Sequence, residues 1–347
     1  MAEKKMIDYI RVEQDRLMSV LKNRHKILAT IEKYFLKNQP KNWKILATGS
    51  SANAILSAKF YVEKIADVSV HIEIPSIMVH YHQDVSTNDF CLAVSQTGRS
   101  ASIIQALRRV SVERFGLTQD SNSPIAKEVH HIIPLAMEEE TVDVVTLGFS
   151  ITTLTFWLIG LEAARIWKKL SPGQYEKEIY KLEQIISQIN PMINTMITWE
   201  EQRIIDENSL THVNIIGYGP GFGVSKEAET KIVETLMVAA NGYELEEFMH
   251  GPNYAIAPEK SYIAIKTDSS IQGDRIQKLT EYVERFSTQS VLFDLTKLVP
   301  IEVDELLTPI LAVIPFQYLV YKWTENMKID FMHTVHDDFD LEFNSKI

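Results

Sequence analysis

Hydroxyl side chains gather around one glycine at Ser95-Gln96-Thr97-Gly98-Arg99-Ser100, directly after the apolar run Cys91-Leu92-Ala93-Val94. A helical pattern with Ile103, Ile104 and Leu107 follows. The order reads strand, polar turn, helix N-terminus. The first N–H groups of a helix lack an internal partner, and the helix dipole adds partial positive charge there. Hydroxyls grouped at such an end suit an anion, most often phosphate. An ordinary N-capped turn is the simpler use of the same residues. A second group has acid–base character. Glu227, Lys231 and Glu234 are spaced i, i+4 and i+7 and share one helix face, with Ile232, Val233 and Leu236 opposite. Such stripes are mostly solvated, but a carboxylate whose proton affinity is raised by burial can shuttle a proton. His250, before Gly251-Pro252, reads on its own as a turn histidine, and Glu244, Glu246 and Glu247 beside it as surface.

The elements that must carry these residues follow from periodicity. Residues 6–37 read as one helix, with Ile10, Met18, Leu21, Ile27, Ile31 and Phe35 on its apolar face. Strands are expected at 44–47, 68–72, 90–94 and 132–135, with a helix from Ala52 to Ile65 after the first. Helices are expected at 146–167 and 175–197. The pattern then restarts: a strand at 213–216, the turn Gly217-Tyr218-Gly219-Pro220-Gly221, a helix to Asn241, and a strand at 261–265 ending in Thr267-Asp268-Ser269-Ser270. Two related α/β units with parallel sheets are therefore expected. Ligands in such sheets bind beyond the carboxyl ends of the strands. The turns at 49–51, 95–100 and 217–221 lie there. The second glycine turn lacks the dinucleotide fingerprint, because its spacing is G-x-G-x-G and no acidic residue closes the following strand.

Composition narrows the function classes. The chain has 347 residues, 45% hydrophobic and 23% charged, with a formal net charge of -11. That length suits two domains. No basic stripe marks a nucleic-acid surface; Lys22, Arg24, His25 and Lys26 read as one solvated helix face. An acidic protein holds an anion by local geometry, against its overall field. The single cysteine, Cys91, excludes an internal disulfide and reads as a buried small hydrophobe. Lys4, Lys5, Asp8 and Arg11 interrupt any signal peptide, and Gly148, Gly160 and Glu162 break the longest apolar run. A cytoplasmic protein without membrane contact is expected. His71, His80, His82, His130 and His131 lack metal-ligand spacing. No metal and no cofactor are expected, and His80-Tyr81-His82 reads as a surface strand.

Together these motifs resemble the sugar isomerase (SIS) domain family, in the tandem layout of the isomerase half of glucosamine-6-phosphate synthase and of the fructosamine-6-phosphate deglycases. The likeness spans residues 40–335. It is carried by Gly49-Ser50-Ser51, by Ser95-Gln96-Thr97-Gly98-x-Ser100, by Glu247-Phe248-Met249-His250-Gly251-Pro252, and by Glu234 at the family's spacing before His250. The resemblance implies two SIS domains, each a three-layer α/β/α sandwich around a parallel sheet. The expected division is a helical segment 1–40, a first SIS domain 41–200 and a second 201–347. It implies a sugar-phosphate cradle of Ser95, Gln96, Thr97 and Ser100 with Ser51. It makes Glu234 the proton-shuttling base and His250 the ring-opening residue or acid, with Glu227 and Lys231 in the same site. It also implies a homodimer or higher oligomer with the site at the subunit interface.

Three departures narrow the activity. Position 2 is alanine, so no N-terminal cysteine nucleophile for glutamine is expected. The tail Asp330-Phe331-Met332-His333-Thr334-Val335-His336 places His333 where the synthase has its Schiff-base lysine. Imidazole forms no stable imine with a ketone. Tyr218 stands where the synthase has arginine. The expected substrate is a phosphorylated sugar or sugar-amine, and the expected activity a fructosamine 6-phosphate deglycase. The alternatives are an aminosugar-phosphate deaminase or aldose–ketose isomerase using the same Glu234, and a non-catalytic sugar-phosphate sensor.

Overall fold

The computed structural model describes residues 4–81, 85–137, 140–142, 144–202, 205–331, 336 and 338–347. The chain packs as two compact units. The first-sheet unit takes Arg16–Glu140, Gly148–Tyr180 and His333–Ile347; the second-sheet unit takes Met1–Asp15, Thr141–Leu147 and Lys181–Met332. The expected division at 40 and 200 is one of sequence; compact packing follows other lines, because early and late segments join units that their neighbours in sequence do not.

The first sheet contains β1 (Asn42–Leu46), β2 (Ser69–Glu73), β3 (Phe90–Val94), β4 (Arg114–Thr118) and β5 (His131–Pro134), all parallel, in the order β2-β1-β3-β4-β5. The second contains β6 (His212–Gly217), β7 (Ala239–Glu244), β8 (Ser261–Lys266) and β9 (Ser290–Asp294), parallel, in the order β7-β6-β8-β9. Helices flank both, giving two three-layer α/β/α arrangements. Every residue of β3 and of β8 is buried, as expected of central strands in a sheet covered on both faces. In each sheet the chain moves one way from the first strand and then the other way. That reversal makes a crevice at the carboxyl ends of β1 and β3, and of β6 and β8.

The helices that position the turns are α1 (Met6–Lys22), α2 (Arg24–Phe35), α3 (Gly49–Ala66), α4 (Pro75–Tyr81), α5 (Ala101–Leu107), α6 (Leu147–Ile166), α7 (Pro172–Ser187), α8 (Ile189–Glu200), α9 (Pro220–Leu236), α10 (Leu245–Met249) and α11 (Ile271–Val283). In the first-sheet unit Phe35 stacks on Trp43 at 5.6 Å, and Phe90 and Trp167 close around them. Cys91 is fully buried in this core, and burial pushes its thiol up to about 12. α6 is long and apolar enough to cross a membrane, yet its apolar window is entirely buried, which marks a core helix.

Several expectations are corrected. The helix expected over 6–37 breaks at Asn23 into α1 and α2. That over 175–197 breaks at Gln188 into α7 and α8. The helix after the second glycine turn stops at Leu236, where Met237 turns left-handed at φ 54, and β7 follows before Asn241 is passed. His80 and Tyr81 end α4 rather than forming a strand, and His82 lies outside the described residues. Of the basic cluster, Lys22, His25 and Lys26 are exposed as expected, but the side chain of Arg24 is largely covered, donating to the hydroxyl of Tyr175 at 2.9 Å and lying 3.9 Å from the buried Glu162 carboxylate.

Candidate active site

In the first-sheet unit, β1 ends at Leu46, Thr48 stands at the N-cap of α3, and α3 begins at Gly49, whose φ of +54 suits glycine. Ser51 lies in the first turn of α3, half-buried. After β3, Ser95 is buried, Gln96 half-buried, Thr97 exposed and Ser100 half-buried. The turn is shaped by Gly98 at φ +68, where a Cβ would fall 2.2 Å from the Ser123 hydroxyl and 2.8 Å from Ile125. The chain therefore takes a path there that only glycine fits. The N–H groups of Gln96, Thr97, Arg99 and Ser100 have no acceptor among the described residues. Free backbone N–H groups beside hydroxyls are the chemistry an oxyanion needs. The Gln96 amide is already oriented: it donates to Glu140 at 2.9 Å, and the same carboxylate accepts from Gly148 N–H at 3.1 Å. Glu140 was not foreseen from sequence.

The end of the chain pairs with this turn. Ala101 N–H donates to Ser345 at 3.1 Å, and Ile347 N–H to Arg99 at 2.9 Å, an antiparallel bridge between Ser100 and Lys346. The first N–H of α5, expected to face an anion, is thus taken by the tail. His333 lies outside the described residues.

In the second-sheet unit, α9 leaves the glycine turn and carries the acid–base residues. Their face is not a solvated stripe. Glu227 and Lys231 are fully buried, while the Glu234 side chain keeps 44% of its exposure. The Lys231 ammonium lies 3.4 Å from Glu227 and 3.0 Å from Glu234. Ile232 is buried opposite, but Val233 is exposed. Desolvation pushes the Lys231 ammonium down; the two carboxylates outweigh it, and the net direction is upward. Lys231 therefore stays charged and is no amine nucleophile. It fixes one end of the Glu234 carboxylate, and the other end reaches solvent. Glu234 is not buried, so the condition set from sequence for a proton shuttle, burial, is unmet by this unit alone.

His250 closes α10 with 73% of its side chain exposed, its Nε2 3.4 Å from Glu246. Arg275 holds Glu246 from the other side at 2.6 Å, and that guanidinium keeps the Glu246 carboxyl below the usual range. Glu244, also read as surface, caps α10 by accepting from the N–H groups of Glu246 and Glu247. Glu246 could have been found from its i, i+4 spacing to His250; no sequence signal announces Arg275.

The crevice of the second sheet is closed by Tyr218. Its hydroxyl donates to Asp268 at 2.7 Å and accepts from the N–H groups of Thr267 and Asp268 at 3.1 and 3.2 Å.

Residues 38–161 match the SIS domain family. Curated relatives include the isomerizing glutamine–fructose-6-phosphate aminotransferases of Synechocystis, 26% identical over 299 residues and 80% of this chain, and of Nostoc, 25% identical over 302 residues and the same share. The chain spans about half the length of these relatives, 47% and 48%. Among solved structures, a provisionally named phosphosugar isomerase of Clostridium difficile 630 aligns over 99% of both chains with a TM-score of 0.89 at 20% identity. The C-terminal domain of glucosamine-fructose-6-phosphate aminotransferase from Francisella tularensis aligns over 96% of this chain and 99% of that one, with a TM-score of 0.83 at 18% identity.

Proposed function

From the premise that this chain carries a SIS domain and is homologous to the isomerase half of the isomerizing aminotransferases, we propose that it is a phosphosugar-processing enzyme. Its reaction is the deglycation of a fructosamine 6-phosphate by proton transfer between C1 and C2. The observation that carries this reading is the Glu234 carboxylate, fixed by a buried, charged lysine and open to solvent on its other side.

The turn at 95–100 holds the phosphate through its N–H groups and the hydroxyls of Ser95, Thr97 and Ser100, with Ser51 contributing from α3. Gln96, oriented by Glu140, faces the sugar. His250, steered by Glu246, assists ring opening. Glu234 then takes a proton from C1 of the open-chain ketosamine. The C1–H electron pair becomes the C1=C2 bond of an enaminol, and the C2 oxygen gains a proton. Return of a proton to C2, with loss of the nitrogen proton, gives an imine at C1. Water adds there and releases the amine, leaving an aldose 6-phosphate. Lys231, held protonated, does not compete as a nucleophile, and His333 at the Schiff-base position cannot replace it. The exposed loop of His250 and Tyr254, the latter 92% exposed, leaves a face against which a second copy would lie in a homodimer.

The test is a coupled assay for glucose 6-phosphate released from a panel of fructosamine 6-phosphates, with glucosamine 6-phosphate and fructose 6-phosphate plus ammonia alongside. Release from a glycated amine is the expected result. Turnover of glucosamine 6-phosphate alone would reassign the chain to the deaminase–isomerase chemistry. Binding of these sugars without turnover would make it a sensor.

A further inference from the structure

Within the first-sheet unit, a cavity of about 450 Å³ opens where α2, the end of α6 and α7 meet. That volume falls in the range of small-molecule pockets. Arg24, His25, Arg165 and Lys168 line it, with Tyr175 and Glu176. Its construction starts from Glu162, fully buried on α6. Both carboxylate oxygens are engaged: Tyr175 donates to one, and Arg165 Nε to the other at 2.5 Å. Arg24 spends its Nε on the Tyr175 hydroxyl and one terminal nitrogen on the Leu21 carbonyl. Both guanidiniums stand over the Tyr175 ring, each 5.7 Å from its centroid. They are thus fixed in place with N–H donors left over, since each has five. Lys168 adds an ammonium with no carboxylate partner among the described residues.

The negative groups nearby are accounted for. Glu162 is saturated, and Glu32 lies 2.9 Å from His25 and 3.7 Å from one terminal nitrogen of Arg165. Glu176 lines the cavity but is exposed to solvent. His25, Glu32 and Glu162 also bring three ligand atoms within 4.8 Å of one another. A metal ion there would meet Arg165 and Arg24 against the same Glu162 carboxylate, and guanidinium does not give up its proton. The place of a cation is filled, and the unused donors ask for acceptors.

We propose that this cavity is a second oxyanion site, built from residues other than the 95–100 turn. It takes a small polyanion, either a phosphate ester or a polycarboxylate. Arginine forks suit both by paired N–H···O bonds.

The test is isothermal titration of the full chain carrying Ser95→Ala and Thr97→Ala, which weakens the other anion turn. Inorganic pyrophosphate and citrate are the two probes, and the tighter of them names the source chemistry. One-to-one binding is expected, weakened about tenfold by adding Lys168→Glu and less by Lys168→Ala. Both changes lie on an exposed side chain that does not touch Glu162. No heat from either probe up to about 10 mM, or equal affinity with and without Lys168→Glu, overturns the proposal.

Discussion

The two sheets run in the same strand order around their crevices, β2-β1-β3-β4 and β7-β6-β8-β9, yet the crevices have opposite character. In the first, the turn after the third strand leaves a row of backbone N–H groups without acceptors among the described residues. In the second, the corresponding N–H groups of Thr267 and Asp268 are satisfied by one phenol, Tyr218. Burial pushes that hydroxyl up, so it stays protonated and can donate to Asp268 while accepting from both. The neighbouring helices differ in the reverse sense. Among the described residues α3 carries an ion pair, Lys59 with Glu63, but no triad, whereas α9 buries Lys231 between Glu227 and Glu234. One copy of the fold leaves its turn open. The other closes its turn and sets a buried lysine between two carboxylates on the helix behind it.

If the labour is divided in this way, variants of the two copies must change different kinetic parameters. Glu234→Gln removes the base without changing its shape. Turnover is expected to fall about a thousandfold or more, with KM nearly unchanged. Ser95→Ala with Thr97→Ala removes two hydroxyls from the other copy and should raise KM roughly tenfold at near-normal kcat. Steady-state kinetics on the deglycation assay reads both. If the two variants moved the same parameter, the division would be broken.

Lys231→Met sharpens the comparison through stability. It leaves Glu227 buried without its cation, a loss expected to be about 3–5 kcal/mol by denaturant unfolding. The pH dependence has a defined sign. The folded Lys231 is shifted upward from 10.5, so the triad stabilises fully below that value. Its contribution fades as pH rises through the folded value. The stability gap between wild type and variant should therefore hold from neutral to mildly alkaline pH and narrow above 10.5. A gap that closes near neutrality would mean that Lys231 is not a charged partner.

Two glycines of the first copy grade the same argument. At Gly98 a Cβ meets Ser123 and Ile125 and the backbone is left-handed. At Gly49 the backbone is left-handed, but nothing lies within 4 Å. Gly98→Ala should destabilise by about 2–4 kcal/mol and Gly49→Ala by about 1 kcal/mol. Thermal unfolding checks the order. Equal losses would show that the turn is held by φ alone and not by its packing on Ser123.

The order of β1, α3, β3 and of β6, α9, β8 was legible because buried strands leave unbroken apolar runs and the turns carry glycine and hydroxyls. β7 was not: Ala239-Ala240-Asn241-Gly242-Tyr243-Glu244 is a half-exposed edge with little strand propensity, and its place is set by pairing with β6. β4 and β9 escaped for a related reason. Gly116 interrupts one, and Asp294 closes the other while capping the helix that follows. Charged residues were misjudged in one direction. Arg24, Glu227 and Lys231 read as solvated because isolated charges avoid the interior. Their burial depends on partners, such as Glu162 for Arg24, that lie far away in sequence or whose depth the sequence does not show. The i, i+7 spacing of Glu227 and Glu234 shows a shared face but not which way it turns.

The smallest effect tests whether the second crevice is a closed version of the first. Tyr218→Phe removes only an oxygen, and leaves Thr267 N–H, Asp268 N–H and the Asp268 carboxylate to find new partners. A loss of about 1–2 kcal/mol is expected, the cost of orphaned buried donors. If the vacated place is a latent anion turn, the two N–H groups will accept an oxyanion where the phenol stood. Phosphate should then raise the melting temperature of Tyr218→Phe more than that of the wild type. Sodium chloride at equal ionic strength should not, since screening acts on both alike. The nearby Asp268 charge opposes the anion, so adding Asp268→Asn to Tyr218→Phe should enlarge the rescue. Parallel melting curves for variant and wild type at every phosphate concentration would mean that Tyr218 is a structural plug in a crevice with no anion-binding capacity of its own.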